Sequence, residues 1–116
     1  MKDPPTEQIE NNAEANVADP GAHIVSFGAI AVDLVFRQLL ISDERYPLSP
    51  KEFMVMYTLL ERGGKLVRRA ELCKAIDAAV NDTALENHIH RLRKKLGKHG
   101  RLLVSKRGCG YRIEAM

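Results

Sequence analysis

The chain has 116 residues, 45% of them hydrophobic and 28% charged, with a net charge of +3, a balance that suits one domain around one core and excludes a chain too polar to collapse. Its longest apolar stretches, such as Val32 to Phe36 and Leu39 to Ile41, are too short to span a bilayer, and the opening residues lack the apolar run of a secretory signal. Two cysteines, Cys73 and Cys109, are too few for a disulfide framework, so the protein is expected in the cytoplasm with both thiols free and buried.

Residues 1–22 set one lysine against five carboxylates and include Pro4, Pro5, Pro20 and Gly21, which reads as a disordered acidic linker or tail preceding a domain over 23–116. From His23 to Leu48, short Val-, Ile- and Leu-rich runs are punctuated at Gly28, Asp33, Ser42-Asp43-Glu44 and Pro47. They suit three or four short strands in an antiparallel meander, although periodicity leaves Leu34 to Ile41 open between strand and helix. A helix is expected from Ser49, because Ser49-Pro50-Lys51-Glu52 offers a capping serine, proline at the first position and glutamate three residues after the cap. Phe53, Met56, Tyr57 and Leu60 then mark one apolar face, and Gly63-Gly64 ends it. Lys65-Leu66-Val67 reads as a brief extended link, followed by a second helix from about Arg69 to Asp77 that buries Leu72, Cys73 and Ile76.

The third helix is expected over roughly Thr83 to Leu96, capped by Asp82 or Thr83, with Thr83-Ala84-Leu85-Glu86 as a capping box. Leu85, Ile89, Leu92 and Leu96 fall within about 60° of one another and form its buried stripe. Asn87, His90, Arg91, Lys94 and Lys98 gather on the opposite side, with Lys95 on the flank, supplying the amide, imidazole and cationic groups that base edges and phosphates require. Beyond Gly97 and Gly100, Leu102-Leu103-Val104 and Tyr111-Arg112-Ile113 flank a basic, glycine-containing tip, the pattern of a β-hairpin.

Charge is distributed to match. Residues 83–116 hold nine basic and two acidic side chains, so the positive excess lies at this end and calls for a polyanionic partner. Helix, helix, basic helix and basic-tipped hairpin is the order of elements in a winged helix that binds double-stranded DNA. The carboxylates are scattered among bases and no Ser/His/Asp order is present, so no enzyme is expected. His88 and His90 project about 200° apart and cannot share an ion, while Gly108-Cys109-Gly110 does not open a helix and reads as a tight turn. Neither metal nor cofactor is expected, and His23 and His99 are expected on the surface. The competing reading is a winged-helix protein-interaction module whose basic face meets an acidic partner.

Over Ile24 to Ile113 the chain resembles the C-terminal effector domain of OmpR/PhoB-type response regulators of two-component systems. Leu48-Ser49-Pro50-Lys51-Glu52-Phe53 is similar to that family's first-helix signature, His88-Ile89-His90-Arg91-Leu92-Arg93-Lys94-Lys95-Leu96 to its recognition helix, and Arg107-Gly108-Cys109-Gly110-Tyr111-Arg112 to its wing. The resemblance implies an α+β fold: a four-stranded antiparallel N-terminal sheet, three helices and a C-terminal hairpin wing. It implies sequence-specific transcription regulation on promoter DNA, with dimers on direct repeats. Base contacts then fall on Asn87, His90 and Arg91; backbone contacts fall on Thr83, His88, Arg93, Lys94 and Ser105; the minor-groove arginine is Arg107. Asn87 stands where an apolar residue is common and His90 where arginine is frequent, so an unusual target sequence is expected. RNA polymerase is implied as a further partner through the loop before the recognition helix. Here that loop, Ala78 to Asp82, is several residues shorter than typical, and Asp77 stands in the place of the family's tryptophan. Residues 1–22 are too few to form a receiver domain, which leaves open an excised effector domain and a regulator that works without phosphorylation.

Overall fold

The computed structural model describes residues 23–77 and 79–115, so the expected acidic tail lies outside the described residues. Four strands, β1 (Ile24–Phe27), β2 (Ile30–Asp33), β3 (Gln38–Ile41) and β4 (Glu44–Pro47), form an antiparallel meander in chain order. Leu34 to Ile41 is thus a turn followed by a strand. Asp33 directs that turn: its Oδ1 accepts from the Val35 and Phe36 amides at 2.8 and 3.0 Å, and its Oδ2 from Arg45 at 3.0 Å. Burial opposes ionisation of Asp33, but these donors outweigh it and hold its pKa below the usual value. Ser42 and Asp43 both take positive φ, 50° and 69°, making the two-residue hairpin between β3 and β4.

Helix α1 (Pro50–Glu61) packs on this sheet and on the elements that follow it, burying Phe53, Val55, Met56, Leu59 and Leu60. The expected capping box is present, with Ser49 Oγ accepting from Glu52 N at 3.1 Å and Glu52 Oε1 from Ser49 N at 2.9 Å. Gly63, at φ 58°, ends the helix with its amide on the Leu60 carbonyl at 3.0 Å.

The link after α1 does more than connect. Val67–Arg68 is a strand, β5, that pairs with the second wing strand, placing Val67 opposite Tyr111 and Arg68 opposite Gly110. Helix α2 (Arg69–Ile76) follows directly, burying Leu72 and Cys73 and leaving Ile76 half-buried. Helix α3 (Asp82–Leu96) packs on α1 and α2, and a 3₁₀ segment (Gly97–Leu102) folds back beneath it into β6 (Leu103–Lys106) and β7 (Gly110–Ile113). The wing is therefore two strands of a three-stranded sheet ordered β5-β7-β6. Gly110 makes that order possible, because a Cβ there would collide with the Val67 carbonyl.

Three local expectations are corrected. The cap of α3 is Asn81, not Asp82 or Thr83: its side chain accepts from Ala84 N at 2.9 Å, and the helix starts early enough to put Thr83 in the exposed first turn. His99 is buried rather than exposed, because the 3₁₀ segment carries it inward. Cys109 is exposed rather than buried, since it ends the wing turn, where its amide donates to the Lys106 carbonyl at 2.9 Å.

Candidate nucleic-acid interface

The rotation of α3 about its axis decides what it presents, and the core sets that rotation. Leu85, Ile89, Leu92 and Leu96 are each no more than 3% exposed. At roughly 2 kcal/mol per buried side chain, turning the helix by one residue position would forfeit more than any surface contact returns. Asn87, His90, Arg91 and Lys94 consequently stand together in solvent on the far face, with Thr83 at its N-terminal end, whereas Lys98, expected among them, lies beyond Gly97 in the 3₁₀ segment, where it lines a cleft with Ser42, Glu44 and Tyr46. A helix of 15 residues is about 22 Å long, enough to lie along several base pairs of a major groove.

Flanking side chains behave differently. Lys95 points back to α1, donating to Glu52 Oε1 at 2.5 Å and to the Pro47 carbonyl at 2.9 Å. Glu52 is buried, which opposes its ionisation, yet the Lys95 and Ser49 donors hold its pKa below 4.5. The lysine expected on the flank as a phosphate contact is thus neutralised within the protein. His88 is half-buried with Nδ1 fully covered and no hydrogen-bond partner. Burial first, then Arg91 and Lys51, lower its pKa below 6.5, so the neutral ring predominates at physiological pH. Arg93, half-buried on the other flank, donates through Nε and Nη2 to the Leu103 carbonyl at 3.1 and 2.7 Å and through Nη2 to Ser105 Oγ at 2.9 Å.

The acidic side chains near the start of α3 are also managed. Arg69, at the N-terminus of α2, meets Glu86 at 3.3 Å and Asp82 at 3.6 Å, and its guanidinium lies 5.9 Å from the centre of the buried Tyr111 ring. Its backbone amide donates to the Cys109 carbonyl at 3.2 Å. One residue thereby joins α2, α3 and the wing while offsetting two carboxylates beside the exposed basic face. Sequence reasoning missed this role; the signal was Glu86, read as half of a capping box but spaced one helical turn from Asp82.

At the wing, Ser105, Lys106, Arg107, Gly108 and Cys109 are all exposed. The loop is tighter than the sequence suggested: β6 runs to Lys106 and β7 starts at Gly110, with Gly108 at φ 73° turning the chain. Arg107 therefore sits at the apex. Among the described residues, no group of His, Cys, Asp and Glu could hold a metal ion, and no helix is long and apolar enough to cross a membrane.

Comparison with known proteins places this arrangement. Residues 43–113 match the family described as "Transcriptional regulatory protein, C terminal". The chain is 33% identical over 90 residues to the response regulator protein PmrA of Pseudomonas aeruginosa, covering 75% of this chain and 40% of that protein. It is 34% identical over 92 residues to the swarming motility regulation protein RssB of Serratia marcescens, covering 77% and 41%. The chain thus spans about two-fifths of the length of these relatives. Among solved structures, the Klebsiella pneumoniae RstA DNA-binding domain in complex with the RstA box superposes with a TM-score of 0.65 at 28% identity, over 78% of this chain and 95% of that one. The DNA-binding domain of the response regulator AdeR, in complex with an intercistronic region, shares the fold with a TM-score of 0.70 at 23% identity, over 79% and 99%. An N-terminal four-stranded sheet, three helices and a hairpin wing, together with the family match over residues 43–113, lead to one conclusion: the chain belongs to the OmpR/PhoB-type response-regulator C-terminal DNA-binding domains, a family of transcriptional regulators without enzymatic activity.

Proposed function

We propose that the domain reads a promoter sequence in double-stranded DNA by laying α3 in the major groove and the wing in the adjacent minor groove. The observation that carries this reading is the coincidence on one side of α3 of Asn87, His90, Arg91 and Lys94, all exposed, opposite a stripe whose burial fixes the helix rotation. Asn87, His90 and Arg91 take the base edges; amide and guanidinium groups suit adenine and guanine there. Thr83, His88, Lys94 and Ser105 meet the backbone, with Arg93 at the junction between helix and wing. A neutral His88 donates one ring N–H to a phosphate oxygen without needing a proton from solvent. Arg107 at the wing apex enters the minor groove, where narrow A·T-rich segments concentrate negative potential. The DNA complex of the RstA domain, a similar structure, supports the partner class. Two copies on direct repeats, and contact with RNA polymerase through the short loop between α2 and α3, extend the same reading to the assembled promoter.

Titration of labelled duplexes selected from random DNA tests it. With about five or six phosphates neutralised, log K falls with log salt at a slope near −5. Arg91→Ala relaxes selectivity at one base pair by about 1–3 kcal/mol. A slope near zero, or equal affinity for every duplex of the same length, refutes DNA reading and leaves an acidic protein as the partner of the basic face.

A further inference from the structure

The two DNA-reading elements are separate in the chain, and two arginines bridge them: Arg69 links Asp82 and Glu86 of α3 to Tyr111 and Cys109, on the β7 side of the wing, and Arg93 of α3 reaches the β6 side. In the sheet ordered β5-β7-β6, β7 is paired on both sides, while β6 has no strand beyond it. Along that edge, the Leu103 carbonyl and the Ser105 hydroxyl both accept from one side chain, Arg93 of α3. The same residue is a backstop on its backbone side, because a Cβ on Gly100 would stand 2.8 Å from the Arg93 carbonyl oxygen, so the 3₁₀ segment leading into β6 runs flush against it. Arg93 lies about 100° around the helix from Lys94, off the exposed face, and Nε and Nη2 are already committed.

We infer that Arg93 is a positioning residue that sets the distance between the recognition helix and the wing tip, and so the number of base pairs between the major-groove core and the minor-groove tract the domain accepts. The planar guanidinium suits this task, since two donors on one carbonyl and a third bond to a hydroxyl fix direction as well as distance. A lysine would supply charge without that fork. The spacing consequence rests on the proposed DNA reading; the clamp itself does not.

Two measurements keep the two apart. In the first, without DNA, backbone ¹⁵N relaxation compares the native domain with Arg93→Ala and with Arg93→Lys, the latter retaining charge and stem should the alanine variant fail to fold. Order parameters at Lys106, Arg107 and Gly108 are expected to fall in the variants while those of Val67 and Tyr111 hold. Unchanged wing amides overturn the clamp. In the second, duplexes share one core and carry an A·T tract moved by zero, one or two base pairs. The native domain is expected to lose about tenfold in affinity when the tract is displaced, comparable with one mismatched base pair, whereas the Arg93 variants lose less than about threefold. In an Arg107→Ala background, Arg93→Ala adds nothing further. Equal loss on every duplex, with the salt slope reduced by about one and additivity with Arg107→Ala, makes Arg93 an ordinary phosphate contact and overturns the spacing role. A loosened wing in a domain that binds no duplex supports the clamp and refutes the DNA reading.

Discussion

Lys95→Met removes the cation from a carboxylate that stays behind. Glu52 is nine-tenths or more buried and keeps only the Ser49 amide at 2.9 Å once the 2.5 Å partner is gone, while methionine preserves the packing of the lysine stem. Breaking a buried pair costs about 3–5 kcal/mol. The Lys95 side chain is 33% exposed, so solvent already screens part of the attraction and a loss of about 2 kcal/mol is expected. For a domain of this size that corresponds to a Tm lower by about 8–16 °C. The pH dependence carries a definite sign. In the native protein Glu52 is held below its usual 4.5, so its contribution is complete above that value and is lost as pH falls through the lower folded-state value. In the variant, burial acts with less opposition and raises the folded-state value, so the deficit is full at neutral pH and shrinks as the carboxyl protonates. Urea unfolding of both proteins near pH 7 and near pH 4 measures it. A deficit of the same size at both pH values, or none at neutral pH, would refute a charge left unpaired. DNA titration gives a second readout: the folded Lys95→Met variant keeps the native salt slope, whereas Lys94→Ala lowers it by about one.

Gly110→Ala is expected to separate β5 from β7, since the new methyl meets the Val67 carbonyl; calorimetry should show a loss of about 2–4 kcal/mol, and a stability within 0.5 kcal/mol of native would mean that the strands part without consequence. Arg107→Ala is expected to weaken binding to a core flanked by A·T more than to the same core flanked by G·C, with Tm nearly unchanged because the side chain is exposed; equal losses on both flanks would reduce Arg107 to a backbone contact.

What could be read from the sequence was local. The Ser49 to Glu52 box lies within one turn and needs no tertiary information, and the Leu85, Ile89, Leu92, Leu96 stripe states its own burial through its period. Turn chemistry at Ser42-Asp43 was legible for the same reason. The cap of α3 was misjudged because Asn81, Asp82 and Thr83 are three competent capping residues in succession, and propensity does not rank them once Arg69 engages Glu86 and Asp82 from another helix. Long-range partners were invisible: Lys95 finds Glu52 on α1, Val67 finds Tyr111, and His99 is buried only because the chain doubles back after Gly97. Asn87, His90, Arg91 and Lys94 form one exposed surface as expected from the wheel, whereas Arg93 and Lys95, one position either side of Lys94, are drawn into the protein.

The pairing of Val67 with Tyr111 makes a closed ring of the segment between them, with α2 and α3 inside it and a two-residue ladder as the clasp. Closing a loop of more than forty residues costs roughly 3 kcal/mol or more in chain entropy, which so short a ladder cannot meet before the enclosed helices have docked on α1. The clasp therefore fastens late in folding, and on a ribosome it must wait until β7 has emerged. A nascent or C-terminally clipped chain can hold its leucine stripe in the core yet lack the brace behind its wing.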